Sequence, residues 1–333
     1  MPRKDIHKIL VIRLSSIGDI VLTTPVVRCL KNRFPDAEIH YLTKSANIPI
    51  LKANPYITRT WDFHDNFDEL IPLLKQENFD YIADLHKNLR SFYVRFRLGS
   101  RSGSFRKLNM QKWLIVNTKI NLLPDIHIVD RYFDAVKKLG VQNDGKGLDY
   151  FIPTAEVIDP QSLPGKFRDG FIAFVVGGKH RTKILPDEKV ALICNRLIRP
   201  VILLGGKEDA ERANMILELV TKPDVLNACG LYSVNQSASL VQQALGVVTN
   251  DTGLMHVAAA FRKPVVSVWG NTIPGFGMYP YLPKEFAKNS VIAEVNGLSC
   301  RPCSKLGFPE CPKKHFKCMN NHDIEGIINE LNK

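Results

Sequence analysis

Asp251, Thr252 and Gly253 stand in a row between an apolar run at residues 245–249 and the small-residue run Leu254-Met255-His256-Val257-Ala258-Ala259-Ala260. The pattern predicts a strand, a tight turn and a closely packed helix. Asp251 and Thr252 suit the N-cap, where a side-chain oxygen accepts from the first free backbone N–H groups. Gly253 lets a ligand approach the backbone with no Cβ in the way. His256 follows Thr252 by one turn, on the same face. Such a turn is an anion site, because unpaired N–H donors and the positive end of the helix dipole converge there. The plain alternative is an ordinary capped βα turn with a histidine in the core.

Two further loops carry charge beside glycine. Ser15-Ser16-Ile17-Gly18-Asp19 follows the apolar run Lys8 to Leu14. It has neither the lysine of a phosphate-binding P-loop nor the glycine spacing of a dinucleotide fingerprint. It does offer one carboxylate, Asp19, placed to act as general base towards a hydroxyl or to cap a helix. Gly177-Gly178-Lys179-His180-Arg181-Thr182-Lys183 follows a second apolar run. Glycines with lysine and arginine at a strand end suit a phosphate group, and Lys183 is the expected diphosphate contact. Gly205-Gly206-Lys207-Glu208-Asp209 ends another strand, either near a ribose or as a plain turn.

The formal charge is +12 with no membrane-length apolar run, which points to an acidic partner. Lys87, Arg90, Arg95, Arg97, Arg101, Arg106, Lys107, Lys112 and Lys119 fall between residues 86 and 124 with no Asp or Glu among them. A block of one sign repels itself unless an anion neutralises it. Nucleic acid would satisfy the charge, but no RNP, KH or zinc-finger pattern is present, and a nucleic-acid partner is not expected. The first apolar run is cut by Arg13 and is no signal-peptide core, so a cytoplasmic place is expected. Seven cysteines, an odd number, argue against a full disulfide framework. Cys29, Cys194 and Cys229 sit among apolar residues and read as buried thiols. Cys300, Cys303, Cys311 and Cys318, with His315 among them, could form a tetrahedral zinc site. Their spacing fits no familiar zinc motif, so the expectation is reduced thiols packing a loop and no metal.

The elements that position these residues repeat one plan twice. Strands are expected at residues 8–14, 37–42 and 79–85, and again at 171–176, 200–204, 245–249 and 265–269. Helical segments lie between them, one running to about Asn32 with Pro25 in its first turn or at a kink, others at residues 186–196 and 208–219. Strands apolar throughout and alternating with helices mean parallel sheets covered on both faces. Residues 152–169, with Pro153, Pro160, Pro164 and Gly165, read as a linker. The result is two doubly wound α/β domains, with ligands at strand carboxyl ends.

Lys8-Ile9-Leu10-Val11-Ile12-Arg13-Leu14-Ser15-Ser16-Ile17-Gly18-Asp19-Ile20-Val21-Leu22-Thr23-Thr24-Pro25 resembles the N-terminal signature of glycosyltransferase family 9, the ADP-heptose:lipopolysaccharide heptosyltransferases. The stretch from Asn250 to Ala260 resembles that family's C-terminal signature. Thr182-Lys183-Ile184-Leu185-Pro186 and Asp84-Leu85-His86-Lys87-Asn88-Leu89-Arg90-Ser91 are similar to two elements between them, in the same order. The resemblance implies a GT-B fold, two Rossmann-like domains facing a central cleft. Residues 1–160 would bind the acceptor and residues 161–333, with the cysteine-rich tail, the nucleotide sugar. It implies inverting, metal-independent transfer of heptose from ADP-heptose to the inner core of lipopolysaccharide, with no cofactor. Asp19 would be the catalytic base. Lys183, Asp251, Thr252, Gly253 and His256 would bind the donor. Ser16, Gly18, Lys87 and Arg90 would bind an anionic acceptor at the cytoplasmic face of the inner membrane. Ile184-Leu185 and the cysteine-rich tail depart from the family pattern. They leave another nucleotide-sugar donor or glycan acceptor open.

Overall fold

The computed structural model describes residues 6–333. The chain divides into two compact units, residues 1–107 with 126–153, and residues 108–125 with 154–333. The division after Pro153 falls inside the proline-rich linker. Residues 108–125 are the surprise, since they interrupt the first unit in sequence and belong to the second in space. Lys119 Nζ there donates to the carbonyl of Pro302 at 2.8 Å, and Lys112 lies over the Phe276 ring.

The first unit holds five parallel strands: β1 (Lys8–Ile12), β2 (Glu38–Thr43), β3 (Arg59–Asp62), β4 (Tyr81–Asp84) and β5 (Ser102–Ser104). Their order is β3-β2-β1-β4-β5. Ile9 to Ile12 are each 0% exposed, as a strand covered on both faces requires. The second unit holds β6 (Ile172–Val175), β7 (Val201–Leu204), β8 (Val225–Asn227), β9 (Gly246–Asn250), β10 (Val265–Trp269) and β11 (Ser290–Glu294), all parallel, in the order β11-β10-β9-β6-β7-β8. Both orders run outward in two directions from a first strand, the doubly wound arrangement expected. In each, the order reverses between the first and fourth strands of the unit. That is β1 beside β4 in one sheet and β6 beside β9 in the other. Such a reversal parts the loops above the strands and leaves a crevice for a ligand.

All seven strands expected from apolar runs are present. The four not foreseen, β3, β5, β8 and β11, are the sheet edges. Their side chains are half exposed or mixed, so they carry no apolar run to read. The helix expected after β1 is two helices, Ile17–Val21 and Thr24–Arg33, and Pro25 sits in the first turn of the second. Cys29, Cys194 and Cys229 are buried free thiols, as expected, and burial pushes Cys194 and Cys229 up to about 12.

Candidate functional site

In the first unit the β1 and β4 loops meet at the point of reversal. Ser16 is the N-cap of helix Ile17–Val21 and Asp19 its third residue. The Ser16 N–H and Oγ–H both donate to Asp19 Oδ2, at 3.2 and 3.0 Å. Arg13 Nη2 lies 2.6 Å from Asp19 Oδ1. Arg13 closes the buried strand and is fixed on every side. Its Nε donates to the Ser15 carbonyl, its Nη1 to the Leu85 carbonyl, and its guanidinium rests near the Tyr132 ring. Burial pushes the Asp19 carboxyl up, but the Arg13 charge and the two Ser16 hydrogen bonds outweigh it and hold the group below its usual value. Asp19 is therefore an ionised carboxylate with a fifth of its side chain open to solvent. Gly18 is buried within the same helix.

The β4 loop is built on Asp84, fully buried at the strand end. Its Oδ1 accepts the N–H groups of His86 and Lys87, and its Oδ2 accepts from Ser91 Oγ. This leaves the Lys87 and Arg90 side chains exposed. Lys87 Nζ donates to the Phe105 carbonyl and Arg90 pairs with Asp65. His86 was not foreseen as a separate site residue. Burial first, then the charges of Arg13 and Lys107, push its imidazole down to about 4, so it is neutral. Its Nδ1 is buried without a hydrogen-bond partner among the described residues. Burial, with Arg13 next, also lowers Lys107. Arg13, Asp19, His86 and Lys107 thus stand within electrostatic reach of one another in a unit otherwise packed around Leu10, Ile12, Leu14 and Ile82.

The face of helix Leu89–Leu98 that turns from the core is apolar. Leu89, Phe92 and Phe96 are 87%, 57% and 71% exposed, while Ser91 and Val94 on the opposite side are buried. Arg90 and Arg97 lie together along one side of the apolar stripe.

In the second unit the β6 and β9 loops meet in the same way. Lys183 Nζ lies 2.5 Å from Asp251 Oδ2, and Thr272 Oγ1 donates to the same oxygen at 3.0 Å. Asp251 does not cap the helix, as the sequence suggested. Its carboxylate is taken up by Lys183 and Thr272, and Thr252 stands at the N-cap of helix Gly253–Ala260 without a side-chain cap bond. Thr252 Oγ1 instead meets Thr249 Oγ1 at 3.2 Å. The first turn of that helix is thus without a side-chain cap. His256 is buried, one turn further in.

Asn250, at the end of β9 and 1% exposed, ties the two loops together. Its Nδ2 donates to the Val176 and Gly177 carbonyls and its Oδ1 accepts the Leu185 N–H. At Gly177 a Cβ would overlap the Asp209 carboxylate, and at Gly178 it would press on Ile184 and reach Thr252. The Gly205–Asp209 segment is a turn closed by the Gly206 N–H donating to Asp209 Oδ2. Asn250, Arg13 and His86 are the site residues that sequence reasoning missed. A lone charge ending an apolar strand was the signal for Arg13.

The pattern of "Glycosyltransferase family 9 (heptosyltransferase)" matches residues 68–308. The chain is 24% identical to lipopolysaccharide heptosyltransferase 1 of Campylobacter coli over 80% of this chain and 84% of that protein. It is 25% identical to lipooligosaccharide heptosyltransferase 2 of Haemophilus ducreyi over 98% of each. Its backbone matches the structure of Escherichia coli ADP-heptose lps heptosyltransferase II with a TM-score of 0.73 at 21% identity, covering 98% of this chain and 97% of that one. The fold is accordingly GT-B.

Proposed function

Because this chain belongs to glycosyltransferase family 9, we propose that it transfers heptose from ADP-heptose to the inner core of lipopolysaccharide, with inversion at the anomeric carbon. The observation that carries the reading is the second-unit turn. An ammonium held by Asp251 stands beside an uncapped helix N-terminus and a glycine pair, a set of donors suited to a diphosphate leaving group. Asp251 positions Lys183 rather than meeting the diphosphate itself, and Thr252, Gly253 and His256 complete the donor side. Asp19 is the base for the acceptor hydroxyl. Arg13 keeps it ionised and Ser16 aims it. Ser16, Lys87 and Arg90 give the acceptor side hydrogen-bonding and cationic groups for a phosphorylated sugar.

No helix among the described residues is long and apolar enough to cross a membrane. The acceptor is a lipid, so the reading places the protein against an anionic membrane face. The stripe of Leu89, Phe92 and Phe96, with Arg90 and Arg97 along one side of it, supports that, since it offers apolar side chains and positive charge together.

Calorimetric titration with ADP, UDP and GDP, without added metal, tests the donor. ADP-selective binding that Lys183→Ala weakens is the expected result. A preference for UDP or GDP would retain the reaction class and replace the sugar nucleotide. Unchanged ADP affinity in Lys183→Ala would remove Lys183 from the site.

A further inference from the structure

We propose that Arg301 is a positioning residue for the nucleotide diphosphate. It fixes the turn after β10 so that Thr272 can hold Asp251, and Asp251 can hold Lys183. The inference rests on the donor assignment of Lys183 and deepens it. Sheet order makes such a relay possible. β11, β10, β9 and β6 are neighbours in that order and run parallel, so each ends beside the next. Arg301 lies in the segment after β11 and Thr272 in the turn after β10. Asp251 lies in the turn after β9 and Lys183 in the loop after β6. Each link therefore crosses one strand spacing of about 4.8 Å, a gap that side chains can bridge.

The Arg301 side chain is 6% exposed, and its fork is engaged wholly at this end of the sheet. Nε donates to the Gly270 carbonyl at 2.5 Å and Nη2 to the Thr272 carbonyl at 2.9 Å. Nη1 donates to the Val295 carbonyl at 3.1 Å, and Nη2 also meets Glu294 Oε2 at 2.8 Å. Between the two carbonyls that Arg301 grips, the Asn271 carbonyl accepts the Cys303 N–H at 3.1 Å. Three successive carbonyls of the β10 turn are thus taken by residues 301 and 303. On its other side the turn meets Thr182, the residue before Lys183. The Asn271 N–H donates to the Thr182 carbonyl at 3.3 Å, and at Gly270 a Cβ would overlap that same oxygen. From this clamped turn the Thr272 hydroxyl donates to Asp251 Oδ2 at 3.0 Å, and the Lys183 ammonium lies 2.5 Å from the same oxygen.

The guanidinium suits this task because its donors lie in one rigid plane and can address two carbonyls of a turn while reaching back to β11. An ammonium is a point charge without that fork. Removing the guanidinium leaves the Gly270, Thr272 and Val295 carbonyls and the Glu294 carboxylate short of a donor. The turn then relaxes and carries the Thr272 hydroxyl away from Asp251. A role confined to closing the sheet edge would lower stability and leave the ADP affinity of the folded protein as it is. A long-range pull of the Arg301 charge on the diphosphate would be kept by lysine.

The test compares Arg301→Gln, Arg301→Lys, Thr272→Val and the double variant Arg301→Gln with Thr272→Val against wild type and Lys183→Ala. ADP binding is read by calorimetry, adenosine binding by ligand-observed NMR, and stability by thermal melts. ADP affinity should fall by roughly 10-fold or more in Arg301→Gln and in Thr272→Val, the contribution of one hydrogen bond to a charged group. Adenosine has no phosphate to meet Lys183 and should bind each variant as it binds wild type. Arg301→Lys should restore no more than part of the loss. The double variant should bind ADP no more weakly than the weaker single one, because both changes break the same relay. Unchanged ADP affinity in Arg301→Gln, equal loss of ADP and adenosine, full recovery in Arg301→Lys, or additive losses in the double variant would each overturn the proposal. Wild-type ADP affinity in Lys183→Ala would instead overturn the donor reading beneath it. The wild-type chain supplies a check that no misfolded variant can spoil. Coupling between sites is reciprocal, so ADP should slow hydrogen exchange at the Asn271 and Cys303 amides. Protection confined to the β6 and β9 loops would overturn the relay.

Discussion

Asp19, proposed here as the base, is a carboxylate bound into the fold that still meets solvent. It receives two hydrogen bonds from Ser16 and an ion pair from Arg13, and it still keeps part of its surface open. Because its folded-state value is depressed, the charged form stabilises the fold above the ordinary carboxylate range. That stability is lost only as pH falls through the depressed value, below about 4. Between about pH 5 and 8 the base stays ionised, so Asp19 should place no acid limb in that window. Asp19→Asn keeps an acceptor for Arg13 and removes the base. Its kcat should fall by roughly 10²–10⁴ with donor affinity little changed, and near-normal turnover would exclude Asp19 as base. Asp19, Lys183 and Asp251 could be singled out as candidates because their types stand out in loops after apolar strands. His86 and Asn250 were not, because their significance lies in contacts with loops distant in sequence. Asn250 reaches residues 74 and 73 positions away, and no local pattern encodes that.

At the level of elements, the two point-of-reversal crevices explain why short loops carry the site. β6 lies between β9 and β7, so its loop runs close to the loops of both, and glycine is needed at residue 177 where it passes Asp209 beyond β7. Gly177→Ala should force the β6 loop off the Asp209 carboxylate, costing about 1–3 kcal/mol of stability and weakening ADP binding. The double variant with Asp209→Ala should recover part of both losses, measured by thermal melts and titration. Additive losses would show that the close approach is not the cause. The inner strands were readable because a strand buried on both faces must be apolar along its length. The edges were not, because one side of each meets solvent or a loop. Ser102-Gly103-Ser104 pairs as a strand by virtue of β4 alone. Pro25 gave two options in sequence, and the helix break at Leu22-Thr23 chose the first turn.

For the whole molecule, the net charge of +12 finds a place on a surface that also exposes aromatic side chains. Binding to vesicles rich in anionic lipid should be measurable by flotation and should weaken as salt rises. Replacing Phe92 and Phe96 by Ser should reduce it by roughly 10²-fold or more, given ~1.5–3 kcal/mol for burying each ring. Their surroundings suggest little loss of fold, since both rings point to solvent. A wild-type chain that stays with the soluble fraction at low salt would remove the membrane reading. The segment at residues 108–125 bears on how the chain is made. Lys119 finds its partners at Cys300 and Pro302, the first of them 181 positions later. At ~5–20 residues per second of synthesis, the first unit has all its strands for roughly 10–40 s before that contact exists. Through that interval Ile115, buried in the completed protein, has no second unit to pack against, so the nascent chain needs shielding there even though the completed protein does not.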